Sequence, residues 1–428
     1  MIYPDMREFV EKLLEEGEAV SIEGVFNPEL EASRLIAEHG EKCIVFNVVG
    51  SRIPVVSNVF ASRERILKML GGSSDEDLYN KIKSALNNPA PLKTARNSPE
   101  RKRLESVLEL PLLKYFPEDG GKYFTSSIVI ARDPEENVLN ASIHRIMVID
   151  GQHGVIRIVP RHLYTIVEKY RRMGKKVPVI ILVSPPPLAI LTAALSPPYG
   201  VFELEVANSM ANMSMEFEYF TRDELPAPSN THIIIIAKID PTKLLPEGPF
   251  VDVLGIYDKV RMQPVVEFEE ILIAENPLYH AILPSGLEHA ILMGLPREVA
   301  IWDTVRKIIP KVVAVRLTRG SGGWLHAIIS IEKTREGDGK NVILATFAAH
   351  PSLKHVVVVD SDIDVDSYEE VEWAIATRFR ADRDLIIIPR AHGSTLDPVS
   401  EDGLTCKMGL DATAPLNVDR NKFTKARL

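Results

Sequence analysis

The chain has 428 residues, too many for one hydrophobic core of ordinary size, so two or three packed units are expected. Its net charge is −9 and its Lys and Arg residues are dispersed, so there is no basic patch of the kind that nucleic-acid binding requires. Two cysteines, Cys43 and Cys406, exclude a disulfide framework or a zinc ribbon and fit a reducing cytoplasm.

The opening "MREFVEKLLEEGEAV" places Phe9, Val10, Leu13 and Leu14 at helical spacing with no basic region before an apolar stretch, so it is expected to be a helix rather than a signal. "KCIVFNVVG" and "IPVVSNVF" read as strands, and "SRERILKML" and "SDEDLYNKIKSAL" as helices, which makes residues 1–110 an N-terminal α/β domain. "NNPAPLKTARNSPERKR" has the composition of a connector. Residues 111–310 carry many short apolar strands, among them "YFTSSIVIAR", "ASIHRIMVID", "VPVIILVS" and "THIIIIAKI". They are interrupted by the helices "RHLYTIVEKYRRMG" and "FELEVANSM", and the pattern suggests a β-barrel. Each apolar piece of "VPVIILVSPPPLAILTAALSPPYGVF" is shorter than the roughly 20 residues that span a bilayer, so no membrane span is expected. Residues 311–428 return to α/β, with "KHVVVVDSDID" and "RDLIIIPRA" expected as fully buried strands around the helix "DSYEEVEWAIATRF".

Several constellations carry chemistry, each beside an ordinary alternative. Asn140, His162 and the acids Glu203 and Glu205 supply an amide, an imidazole and carboxylates with no thiolate, a set suited to Mn²⁺ or Mg²⁺. The alternative is a turn Asn, a satisfied His and a solvated helix face. Glu247 and Asp252 flank a Pro and Gly turn, where an arginine would hold one carboxyl ionised while burial keeps the other protonated. Lys407, in "TCKMGLDAT", is either a point charge for a phosphate or a surface lysine. "RGSGGWLH" lacks phosphate-loop spacing and reads as a loop between strands, and "DSDIDVDSYEE" as a strand end followed by a helix cap.

Taken in order, "LPLLKYFPEDGGKYFTSSIVIARDP", "NASIHR", "RH", "FELEVAN", "PEGPFVDVLGIY", "VDSDIDVDSYEEVEWAIATR" and "TCKMGLDAT" resemble the UbiD family of reversible decarboxylases over about residues 108–413. The resemblance implies a central split β-barrel that binds prenylated FMN, between the N-terminal α/β domain and a C-terminal α/β domain. It places the manganese ligands on Asn140, His162 and Glu203, with potassium nearby and Lys407 on the cofactor phosphate. Ser142, Ile143 and Arg161 would line the flavin. The catalytic arginine and acids would be Arg145, Glu247 and Asp252. Asp252 stands where many relatives have Glu, and His144 occupies a position that is small or tyrosine elsewhere.

The implied reaction is removal of CO₂ from an α,β-unsaturated acid, with the cofactor as electron sink. The chain is more similar to archaeal members that convert trans-anhydromevalonate 5-phosphate to isopentenyl phosphate, with a 4-hydroxybenzoate-type aromatic acid as the alternative. A flavin carrier without turnover is the competing reading from another class. A flavin prenyltransferase would supply the cofactor, and a homodimer or hexamer is expected.

Overall fold

The structure, a computed structural model, describes residues 3–426. It divides into two compact units, residues 3–73 with 80–292, and residues 74–79 with 293–426.

The first unit opens with the helix Met6–Glu15, whose N-cap Asp5 accepts a hydrogen bond from Glu8 N and whose Met6, Phe9, Val10 and Leu13 are buried. A four-stranded sheet follows, in the order Ala19–Phe26, Cys43–Val48, Val55–Ser57 and Tyr279–His280. Its first two strands are parallel and joined through the helix Glu31–His39.

The core of this unit is a β-barrel of six antiparallel strands: β1 (Tyr123–Arg132), β2 (Leu139–Val148), β3 (His153–Ile156), β4 (Val177–Val183), β5 (Ile233–Glu247) and β6 (Arg261–Ile273). The order is β5-β4-β1-β2-β3-β6, and β6 pairs back onto β5, from Ile233↔Ile273 to Glu247↔Arg261, so the ring closes. Burial on both faces explains the unbroken apolar runs: Val179, Ile180, Ile181 and Leu182 on β4 and Ile233, Ile234 and Ile235 on β5 are all fully buried.

Helix α1 (His162–Arg172) buries Leu163, Ile166, Val167 and Tyr170, a stripe at helical spacing, and ends in Lys169, Arg171 and Arg172, which suit the negative end of its dipole. The stretch after β4 turns through Ser184–Pro186 into the short helix Pro187–Ala193, and then α2 (Glu203–Met210) begins. Among the described residues no helix is long and apolar enough to cross a membrane.

The second unit holds a five-stranded mixed sheet in the order Val312–Leu317, His326–Ile331, His355–Asp360, Leu404–Ala412 and Leu385–His392. His355–Asp360 lies in the middle, and Val356, Val358 and Val359 are fully buried. "RDLIIIPRA" departs from expectation. It forms an edge strand with Ile387 59% exposed, because among the described residues it pairs with Leu404–Ala412 alone. Ser367 caps the helix Tyr368–Arg378 by accepting from Glu370 N, and "RGSGGWLH" connects two strands, both as expected.

Candidate active site

Arg145, on β2, is clamped by Glu247 at the end of β5. Nε donates to Oε1 at 2.8 Å and Nη2 to Oε2 at 2.9 Å, the two-pronged match of a planar guanidinium to a carboxylate. The Glu247 side chain is fully buried and that of Arg145 is 12% exposed. The chain can turn away after Glu247 because Gly248 adopts φ +96°, a backbone region that side chains oppose. Gly120 must also be glycine here: a Cβ on it would come within 2.4 Å of the Gly248 carbonyl oxygen, and its own N–H donates to Pro249 O at 2.8 Å.

The turn leads into a hairpin in which Phe250–Val251 pairs with Tyr257–Asp258. The Phe250 ring lies 4.5 Å from Arg145 Cζ, a cation–π contact that supports the guanidinium from its face. Asp252, in the hairpin loop, brings Oδ2 to 3.9 Å from Arg145 Nη1, while its Oδ1 accepts from Val253 N at 2.6 Å. The three residues expected to do the chemistry therefore meet.

Four residues that sequence reasoning did not single out join them. Asp258 Oδ2 lies 3.5 Å from Arg145 Nη2, 3.4 Å from Arg261 Nε and 3.8 Å from Arg157 Nε. His289, just past the barrel, accepts from Ser285 N through Nδ1 at 3.2 Å. Burial lowers its pKa, and it is close enough to Asp252 and Arg145 to feel their charges. Arg157 was findable, since antiparallel pairing across the turn between β2 and β3 sets it opposite Arg145. Asp258, Arg261 and His289 carried no local signal.

The second cluster begins on the same strand. His144 Nδ1 lies 3.0 Å from the Arg157 carbonyl, which can only accept, so Nδ1 carries the hydrogen. Burial holds the imidazole pKa down to about 4, so the ring is neutral and Nε2 accepts from Ser142 Oγ at 2.8 Å. With its own proton committed, Ser142 Oγ accepts from Asn140 Nδ2 at 3.0 Å. This one-way chain fixes the Asn140 amide through its Nδ2 and sets which way its carbonyl oxygen faces.

Next to it, Glu203 at the start of α2 is 2% exposed, and its Oε2 accepts from Ala141 N at 2.8 Å. Burial pushes this carboxyl up to about 8, and among the described residues no cationic side chain is paired with it. A buried carboxylate with no cationic partner, bonded to the backbone next to an oriented Asn140 amide, has the chemistry of a hard-cation ligand, and a cation would supply the missing positive charge. Glu205, two residues on, is only partly buried, and among the described residues no bond joins it to β2.

His162, the first residue of α1, is partly buried and packs edge-on against Tyr199, with ring centroids 5.2 Å apart. Tyr199 donates its hydroxyl to Asp133, whose carboxylate also takes Lys169 Nζ at 2.7 Å from the same helix as His162. Ser142 and Ile143 are partly buried on β2 and Arg161 is exposed at the N-cap of α1. Lys407 belongs to the second unit, where its ammonium donates to the carbonyls of Pro351 and Leu353 at 2.5 and 2.6 Å.

Comparison with known proteins identifies the family. Three models of the 3-octaprenyl-4-hydroxybenzoate carboxy-lyase (UbiD) family match the chain: the N-terminal domain over residues 10–86, the Rift-related domain over 85–287 and the C-terminal domain over 290–412. The chain is 47% identical to the anhydromevalonate phosphate decarboxylase of Aeropyrum pernix, covering 92% of this chain and 90% of that one. It is 42% identical to the enzyme of the same name from Methanothermobacter thermautotrophicus, covering 96% and 97%. Among solved structures it resembles the UbiD-class enzyme HmfF from Pelotomaculum thermopropionicum in complex with FMN, with 34% identity, a TM-score of 0.95 and coverage of 99% and 97%. An evolved dimeric form of the same enzyme in complex with prenylated FMN gives 32% identity and a TM-score of 0.90, covering 98% and 96%. The chain belongs to the UbiD family of decarboxylases.

Proposed function

We propose that this protein removes CO₂ from trans-anhydromevalonate 5-phosphate to give isopentenyl phosphate, with prenylated FMN and Mn²⁺ as cofactors and K⁺ nearby. The observation that carries the reading is the bidentate Arg145–Glu247 pair with Asp252 3.9 Å from the same guanidinium, in a chain 47% identical to a protein named for that substrate.

Prenylated FMN, when bound, supplies the electron sink for the pair left as the C–CO₂ bond breaks, a role that no side chain can fill. Arg145 orients the substrate carboxylate, and Glu247 keeps the guanidinium in one plane. Asp252 holds a proton and delivers it to the carbon that has lost CO₂. Asn140, His162 and Glu203 would hold the metal, Ser142, Ile143 and Arg161 would line the flavin, and Lys407 would meet its phosphate. A flavin prenyltransferase would supply the cofactor, and the chain would work as a homodimer or hexamer.

The test is anaerobic. The protein is co-expressed with a flavin prenyltransferase, given Mn²⁺ and K⁺, and offered a panel of unsaturated acids followed by mass spectrometry. Isopentenyl phosphate formed only with the prenylated cofactor is the expected result. Loss of CO₂ from an aromatic acid instead would overturn the substrate, and no turnover by loaded protein on any acid would favour a carrier.

A further inference from the structure

Arg157 and Arg261 both stand next to the catalytic pair across a strand ladder. Arg157 N donates to Arg145 O at 3.1 Å, continuing the register that pairs β2 with β3, and Arg261 is the ladder partner of Glu247. Residues directly opposite in an antiparallel ladder send their side chains to the same face, so both guanidinium groups share the face of Arg145 and Glu247.

Their charge is not matched. Glu247 is occupied by Arg145 through both oxygens, which leaves Asp258, among the described residues, as the carboxylate in ion-pair reach of both Arg157 and Arg261. A single oxygen, Asp258 Oδ2, lies within 4 Å of three guanidinium groups. Arg157 has its pKa lowered by burial and then by the neighbouring positive charges of Arg261 and Arg145, so it sits in a field that a further anion would relieve. The group is also reachable, with the side chains of Arg261 and Arg157 35% and 19% exposed, beside Asp252 at 24%.

We infer that Arg157 and Arg261 form a second anion subsite that takes the phosphate monoester at the far end of the substrate while Arg145 takes its carboxylate. This rests on the function proposed above and adds to it the residues that select a phosphorylated acid. A planar guanidinium suits two phosphate oxygens at once, and two of them close to Arg145 suit a substrate whose two anionic ends are separated by a short carbon chain. Asp258 keeps the empty pair from repelling each other and yields part of their hydrogen bonding when phosphate enters.

The test uses the cofactor-loaded full chain and the variants Arg157→Gln and Arg261→Gln, each checked for flavin content by absorbance. kcat and KM are measured for trans-anhydromevalonate 5-phosphate and for the same acid without its phosphate, together with inhibition by inorganic phosphate. The expected result is a KM for the phosphoester raised at least about tenfold in each variant, a preference for phosphoester over free hydroxy acid reduced by a similar factor, and weaker inhibition by inorganic phosphate. Equal losses on both acids, with phosphate inhibition intact, would overturn the subsite and leave the two arginines as supports for Arg145. Arg261, the more exposed of the two, keeps the test decisive should Arg157→Gln fold poorly. A wild-type enzyme that does not turn over the phosphoester at all marks failure of the functional reading itself, and the subsite falls with it.

Discussion

Tyr199 stands edge-on to His162 at a centroid distance of 5.2 Å and donates a hydrogen bond from its hydroxyl to Asp133, so the ring that would ligate a metal is held by a residue anchored elsewhere. Asp133 is a firm anchor, held down to a pKa of about 2 against its own burial by hydrogen bonds from Lys169 and Tyr199. Supports behind a metal ligand commonly contribute about 10- to 100-fold in affinity. Tyr199→Leu is expected to weaken Mn²⁺ retention at the low end of that range, with Tyr199→Phe in between. Equilibrium dialysis followed by metal analysis checks this, and an unchanged affinity in Tyr199→Leu would reject the support.

Glu203→Gln replaces a buried, cation-free carboxylate with a neutral group of the same shape. A ligand that binds only the folded state raises its apparent stability. Mn²⁺ is therefore expected to raise the melting temperature of the wild-type protein and to leave that of Glu203→Gln where it was. A full Mn²⁺ shift in the variant would remove Glu203 from the ligand set.

Asp252→Asn keeps the size of the side chain and removes its proton. Turnover is expected to fall by about 10² to 10⁴ with flavin content retained, since that is what loss of a general acid commonly costs. Rapid-quench assays on loaded protein read the effect, and near-wild-type rates would take Asp252 out of the proton transfer.

His144 gives a pH dependence whose sign follows from its shift. Its pKa is lowered to about 4 in the folded chain from an ordinary 6.5, so the unfolded chain binds the extra proton first. The stabilising contribution is complete above about pH 6.5 and declines as pH falls toward 4, by up to about 1.4 kcal/mol per unit. His144→Phe removes that titration together with the hydrogen-bond chain to Asn140. Urea unfolding at pH 7 and pH 4.5 should show wild type losing more stability between the two than the variant does. Parallel losses would contradict the burial of a neutral ring.

Much of the fold was legible because short, β-branched apolar runs such as "VPVIILVS" and "THIIIIAKI", bounded by turn residues, read as buried strands. Ring closure was not legible, since pairing Ile233 with Ile273 is a long-range choice that neither segment records locally. "RDLIIIPRA" shows the opposite limit: an apolar run reads the same at the edge of a sheet as in its middle, yet Ile387 is 59% exposed. The site residues Asn140, His162 and Glu203 are 22 and 41 positions apart in sequence, so they could be chosen only through family motifs. The geometry adds a reason for Glu203 over Glu205 in its bond to Ala141 N. Asp258 and Arg261 were missed because each looks like an ordinary charge at the surface end of a strand.

Barrel closure also divides the labour of the site. Arg145 hangs from β2, which pairs with β1 and β3, and Glu247 from the end of β5, past its last pair with β4 but still opposite Arg261 on β6; a one-residue slip in any ladder would have to be matched around the entire ring. The distance between them is therefore a property of the whole barrel, much as the span of an arch belongs to all its stones. Asp252 hangs instead from a hairpin whose two strands pair at only two positions. On the proposed roles, the receptor for the carboxylate would be set like masonry, while the proton donor would rest on a lighter span of two paired positions.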